Sequence, residues 1–211
     1  MGAAVVILAG GRATRLGGVD KPLLPLPGGT ILDRALHTLR AQSAHIAISA
    51  NGDPSRFPPG IPVLPDADAE RPGPLAGVLA AMRWAAAHRC ALVVTVPGDC
   101  PFLPDDLVAR LVEGCGRATI ACAASGGRTH PVAAAWPVAL HADLEAALRD
   151  GVRKVGAYAA RHGAASVEWV AGPDPFLNVN TPDDLAAARA RLTLPSAPRS
   201  PAGAPKAPPP G

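Results

Sequence analysis

Aromatic side chains are scarce: three Trp, one Tyr and three Phe in 211 residues, 3% of the chain. Blocks of like charge are missing too. The formal net charge is only +3, and two of the positive residues, Arg199 and Lys206, stand near the end of the sequence. A basic face interleaved with stacking aromatics is the usual footprint of a nucleic-acid binder, and this composition argues against one. The four cysteines, Cys90, Cys100, Cys115 and Cys122, form no C-x-x-C pair. They read as buried free thiols in a reducing compartment rather than as disulfides or a zinc site. The first residues lack the basic segment of a signal peptide, and Val6 stands where N-myristoylation favours Ser or Thr. No apolar stretch reaches the roughly 20 residues needed to span a bilayer. The expectation is a cytoplasmic protein with neither a nucleic-acid nor a membrane partner.

What is present first is the run Val5-Val6-Ile7-Leu8, breaking into Ala9-Gly10-Gly11-Arg12-Ala13-Thr14-Arg15-Leu16-Gly17-Gly18-Val19-Asp20-Lys21. A short β-branched run bounded by glycines reads as a buried strand of a parallel sheet. Ligands of such sheets bind at the carboxyl ends of the strands, where this loop must emerge. Adjacent glycines let the backbone approach a ligand, and successive N–H groups can converge on an anion. Arg12, Arg15 and Lys21 bring three cations to the same loop, although Arg12 reads equally as a solvated side chain. A strand feeding a glycine-rich, cationic turn suits a polyphosphate. The spacing fits neither G-x-x-x-x-G-K-[ST] nor G-x-G-x-x-G.

Strand and helix patterns alternate almost throughout, which predicts an α/β fold with a mainly parallel sheet. Helices are expected from Thr30, as N-cap, to about Gln42, from Pro74 to about Arg89, from Pro104, from about Val138 to Arg149, over roughly 153–161, and from Thr181. Strands are expected at 45–49, 62–64, 91–96, 117–123 and 131–136, with Ser125–His130 between the last two. Residues 1–194 form the expected domain. Residues 195–211, rich in Pro, Ala, Ser and Gly, are expected to be disordered because they cannot bury enough apolar area to offset ordering entropy.

Polar residues follow four of these strands: the 9–21 loop, Asn51, Asp66 and Asp99. In a parallel sheet all four can line one crevice. Asp99, in Pro-Gly-Asp-Cys-Pro at the tip of an apolar strand, is well placed to hold a divalent cation, or else caps the helix that follows. Asp66 is ambiguous with Asp68 and Glu70, and Asn51-Gly52 makes a turn as readily as a ligand contact. Leu75-Ala76-Gly77 reads as packing rather than chemistry. Lys21 and Arg15 suit phosphates, one as a point charge and the other as a bidentate fork.

The opening loop resembles L-A-G-G-x-x-x-R-[ML]-G-x-x-x-K, the signature of nucleotidyltransferases with a GT-A-like Rossmannoid fold, and most of all the molybdenum cofactor guanylyltransferases. Pro97–Pro101 resembles that family's P-x-D-x-P motif. The stretch from Asp66 to Gly77 is similar to D-x(5-7)-G-P-L-A-G. Arg128–Ala133 is similar to R-x-H-P-x-x-A, and Phe176–Leu185 to F-x-N-[VI]-N-T-P-[ED]-[ED]-L. The resemblance runs in motif order over roughly residues 4–192, with Leu16 where Met is commoner.

The resemblance implies a three-layer α/β/α architecture and transfer of GMP from GTP to the phosphate of molybdopterin, releasing pyrophosphate, with Mg²⁺ as cofactor. It implies Arg15, Lys21 and Asp99 as catalytic, with Asp99 the metal ligand. Leu8, Ala9, Gly10, Gly11, Lys21, Asn51, Asp66 and Asp99 would meet the nucleotide. Arg128, His130, Asn178 and Asn180 would stand on the acceptor side, where an arginine or histidine can hold a phosphate monoester. His130 reads equally as a strand-edge histidine, and Asn178 as a strand terminator. A molybdoenzyme or a cofactor-delivery protein is the candidate protein partner. Three alternatives remain at this point: a cytidylyltransferase or other small-phosphate nucleotidyltransferase, a non-catalytic GTP-binding delivery protein, and a Rossmann-type oxidoreductase. The missing G-x-G-x-x-G counts against the last.

Overall fold

The structure is a computed structural model and describes residues 2–10, 12–13, 19–66, 73–115, 119–170 and 172–193. Gly11, Arg15, Asp68, Glu70 and the 195–211 segment, all named above, lie outside the described residues, as does the side chain of Arg12.

The strands β1 (Ala4–Leu8), β6 (Ile46–Ser49), β7 (Val63–Leu64), β8 (Leu92–Pro97), β9 (Ala121–Ser125), β10 (Arg128–Pro137) and β11 (Ala165–Trp169) form one seven-stranded sheet. Its spatial order is β11-β9-β10-β8-β1-β6-β7. All neighbours are parallel except β10, which runs antiparallel to both β8 and β9. Two short ribbons flank it: β2 (Arg12–Ala13) with β3 (Val19–Asp20), and β4 (Pro25–Leu26) with β5 (Gly29–Thr30).

Alternation along β1 divides the core. Val5 and Ile7 join the cluster under α1 (Ile31–Arg40) and α3 (Leu107–Cys115). Ala4 and Val6 join the one under α2 (Pro74–Ala87), α4 (His141–Arg149) and α5 (Val155–Arg161). Period-two side-chain alternation on a sheet buried on both faces gives three layers, helix–sheet–helix. A third, small cluster packs α6 (Pro182–Thr193), through Ala188, on Leu24, Leu26, Ile31 and Val179.

Two helix starts follow directly from local sequence. Thr30 Oγ1 accepts from the Asp33 backbone N–H at 3.1 Å while Asp33 Oδ2 accepts from the Thr30 N–H at 2.8 Å, a reciprocal capping box. Thr181 and Asp184 repeat the arrangement at α6.

The second half departs from expectation. Ser125 and Arg128–His130 are strand residues, not a connector, and only Gly126-Gly127 turns the chain, at φ 55° and 75°. Two successive positive φ values match the twist of a tight hairpin, and glycine adopts them without a Cβ penalty. The helix expected from Pro104 starts at Leu107. The one expected from Val138 begins as a 3₁₀ turn, Val138–Leu140, before α4.

Candidate nucleotide site at the carboxyl edge of the sheet

The adjacent parallel strands β8, β1, β6 and β7 end on one edge, and Ala9, Gly10 and Lys21 of the first loop meet Asp66 and Asp99 there. A cleft of about 450 Å³ opens over this edge. Of the sequence candidates, Leu8, Ala9, Gly10, Lys21, Asp66, Asp99, Arg128, His130 and Asn178 line it. Asn51 and Asn180 are not part of that lining but bond to two of its residues, Asp66 and Lys21.

Backbone pairing fixes the floor. Ala9 N–H donates to Ser49 O at 2.8 Å, and Gly98 N–H to Leu8 O at 2.9 Å, so β1 stays clamped between its neighbours up to its last residue. Gly98 is required by that closeness. A Cβ there would lie 2.9 Å from Pro22 Cγ, 3.0 Å from Leu8 O and 3.3 Å from Ala9 Cα.

Lys21 opens a 3₁₀ turn, Lys21–Leu23, and its ammonium lies 3.2 Å from Asp99 Oδ2. The same Nζ donates to Asn180 Oδ1. Both charged side chains are about one-fifth exposed, 21% and 19%, so solvent screens the pair only in part. Val179 N–H donates to Asp99 O at 2.9 Å, which ties the Asn178–Asn180 segment to the strand tip. Asp184 Oδ2 accepts from the N–H groups of Asn180 and Thr181, both at 2.9 Å. These bonds, that to Asn180 first, hold the Asp184 carboxyl below its ordinary pKa. Residues 78 and 159 positions away from Lys21 thus converge on one ammonium.

Cys100, fully buried, donates its thiol to Asn178 Oδ1 at 2.9 Å. Burial pushes this thiol well above the ordinary range, with Asp99 and Asp174 adding to the effect, so it is a donor and not a nucleophile. This bond fixes the orientation of the Asn178 amide.

On the β6–β7 side, Asn51 and Asp66 bond reciprocally. Asn51 Nδ2 donates to Asp66 Oδ2 at 2.8 Å, and Asp66 N–H donates to Asn51 Oδ1 at 2.9 Å. Partial burial raises the Asp66 carboxyl pKa, and the Asn51 bond opposes it. Arg56 donates to Asn51 O at 2.6 Å and forms an ion pair with Asp20 Oδ2 at 3.1 Å, linking this side to the residue before Lys21.

Sequence reasoning passes over several groups. Leu75 and Ala76 are buried, as a packing role requires, but Gly77 lines the cleft. A Cβ on it would stand 3.0 Å from Ser49 Oγ and 3.2 Å from Leu8 Cδ2. Ser49, Ser125 and Asp174 carry no local signal at all. Ser125 Oγ lies 2.7 Å from His130 Nε2 and 2.8 Å from Asp174 Oδ1. Burial lowers the His130 pKa, against the opposing pull of Asp174.

A cleft at the carboxyl edge of a doubly wound sheet, lined by strand ends with Lys21, Arg128, Asp66 and Asp99, is the architecture of nucleotide-handling α/β enzymes. Residues 5–167 match the MobA-like NTP transferase domain, and the chain belongs to that family. The molybdenum cofactor guanylyltransferase of Rhodopseudomonas palustris (strain BisB5) is 50% identical over 196 residues, spanning 90% of this chain and 93% of that protein. Among solved structures, molybdopterin-guanine dinucleotide biosynthesis protein A from Archaeoglobus fulgidus shares the fold at TM-score 0.71 and 21% identity, over 90% of this chain and 98% of that one. The 2-C-methyl-D-erythritol 4-phosphate cytidylyltransferase from Thermus thermophilus follows at TM-score 0.66 and 25% identity, over 92% and 100%. The protein is a nucleotidyltransferase.

Proposed function

We propose that this chain transfers GMP from GTP to the phosphate of molybdopterin, releasing pyrophosphate and forming the guanine dinucleotide cofactor. The observation that carries the reading is the half-identical guanylyltransferase relative, matched over nine-tenths of both chains. The geometry supports it. Lys21 and Asp99 meet at the edge, and Leu8–Gly10 and Arg128–His130 line the same cleft.

In this reading the backbone of Leu8–Gly10 and the Lys21 ammonium hold the triphosphate, and Asn51 with Asp66 meets the nucleoside. Gly11 and Arg15 belong to the same loop. Arg128, His130, Asn178 and Asn180 bound the acceptor side. The acceptor monoester is itself anionic, so no protein nucleophile is needed. In-line positioning and neutralisation of developing charge supply the catalysis.

Asp99 is the residue that would hold a divalent metal, Mg²⁺ in this proposal. The donor set fits: Mg²⁺ takes one or two carboxylates and completes its shell with water and substrate phosphates. Among the described residues no group of three or more His, Cys, Asp or Glu forms a closed metal cage. Bound there, the ion would supply positive charge to offset that of the substrate phosphates. Lys21, already anchored on Asp99 and Asn180, stays beside the α-phosphorus to stabilise the transition state.

No helix of the described residues is long and apolar enough to cross a membrane. A cytoplasmic location, and delivery of the product to a molybdoenzyme, complete the proposal. The test is calorimetric binding of GTP, CTP and ATP with Mg²⁺, followed by pyrophosphate release on adding molybdopterin. Preference for GTP with turnover is expected. Preference for CTP would move the chain to cytidylyl transfer, and no triphosphate binding would remove the reading.

A further inference from the structure

His130 sits where the β10–β9 register breaks. Arg128, Thr129 and His130 pair with Ser125, Ala124 and Ala123, and pairing resumes only at Ala134 with Cys122. A break of this kind re-aims a strand side chain. Here it sets the imidazole among the cleft-lining residues, with its ring centroid 4.9 Å from that of Phe176.

The hydrogen bonds behind the ring leave one arrangement of protons. Asp174 Oδ1 accepts from the Phe176 backbone N–H at 2.8 Å and from Ser125 Oγ at 2.8 Å. A hydroxyl has one proton to give, and the carboxylate takes it. Ser125 Oγ can then only accept from His130 Nε2, 2.7 Å away, so Nε2 carries the hydrogen. The lone pair of the neutral ring falls on Nδ1, which no described residue occupies. Burial favours the uncharged ring. Of the charged groups around it, Asp174 and Glu168 pull the other way and Arg128 works with the burial.

We propose that Asp174 and Ser125 are positioning residues that hold His130 as the Nε2–H tautomer, and that Nδ1 accepts a hydrogen bond from a ring N–H of the acceptor's pterin. The proposal rests on the acceptor reading above and changes one part of it. His130 is a specificity residue for a neutral hydrogen-bond donor, not a cation for the phosphate. Phosphate binding on this side falls to Arg128 and to the N–H groups of the Asn178 amide, which the Cys100 bond orients.

The experiment uses the full chain with ¹⁵N-labelled histidine, long-range proton–nitrogen spectra, and His130→Gln to assign the ring. At neutral pH, Nε2 is expected protonated and Nδ1 bare. With GTP and Mg²⁺ present, the Nδ1 signal is expected to move on adding a phosphate-free pterin and to ignore inorganic phosphate. Pterin affinity is expected to fall as the pH drops through the lowered His130 pKa, because the protonated ring has no acceptor left. Ser125→Ala is expected to mix the tautomers and weaken pterin binding about tenfold. An Nδ1–H tautomer, an imidazolium at neutral pH, no response to pterin, or a response to phosphate that strengthens with acid would each overturn the proposal. The wild-type spectrum decides the tautomer even where a variant fails to fold. GTP affinity in the same samples tests the nucleotidyltransferase reading separately.

Discussion

Replacing Asp99 by Asn separates chemistry from stability at the centre of the cleft. Asn keeps the shape and one acceptor oxygen for Lys21, 3.2 Å away, but removes the charge. Exposed ion pairs contribute about 0–1 kcal/mol, and breaking a fully buried pair costs about 3–5 kcal/mol. Each side chain here is about one-fifth exposed, and Lys21 keeps its second partner, Asn180. The expected loss is therefore near the lower range, about 1 kcal/mol, or roughly 2–4 °C in Tm for a chain of this size. The rate responds differently. Removing one preorganised electrostatic contact at a site of developing charge costs about 10²–10³ in kcat, and the metal ligand goes with it. Pyrophosphate release should fall at least that far at saturating Mg²⁺, while the thermal transition stays cooperative and within a few degrees of wild type. Wild-type turnover in Asp99→Asn would remove Asp99 from the mechanism. A fall of more than about 10 °C in Tm would instead make it a structural residue.

Gly98→Ala forces a Cβ against Pro22 and the backbone of Leu8 and Ala9, so activity and about 1–3 kcal/mol of stability should be lost together. Gly114→Ala is the control. Its Cβ meets Val167 Cγ2 at 2.7 Å and Ala121 Cβ at 2.8 Å, none of them in the cleft lining, so urea unfolding should shift by a similar amount with turnover unchanged. Thr95 Oγ1 accepts from Trp136 Nε1 at 2.8 Å, both residues fully buried, and donates to Val132 O at 2.7 Å. Thr95→Val leaves a buried indole N–H without a partner and should cost about 1–3 kcal/mol in denaturant unfolding. Asp184 has a folded pKa below its unfolded one, so its contribution is present above about pH 4 and is lost as pH falls through the folded value. Urea midpoints of wild type and Asp184→Asn should therefore converge below about pH 4; a constant gap would refute this.

The sequence by itself determined what depends on neighbours a few residues apart. Both capping boxes, Thr30 with Asp33 and Thr181 with Asp184, were legible because their partners lie within one helical turn. The buried strands Ala4–Leu8 and Leu92–Pro97 were legible from their apolar runs. The glycine pair at 126–127 carries a local hairpin signal, yet the lengths of the strands it joins depend on pairing beyond it. Tertiary structure alone decided the rest. The antiparallel insertion of β10 between β8 and β9 comes from long-range strand pairing, which no local window contains. The union of Lys21 with Asp99 and Asn180, and of His130 with Ser125 and Asp174, joins residues from different elements. The need for glycine at 77 and 98 is set by side chains and backbone that arrive only when the sheet closes on α2 and on the first loop. Hydrogen bonds and steric exclusion act over a few ångströms, and which distant residues come within that range is fixed by the packed sheet rather than by their spacing along the chain.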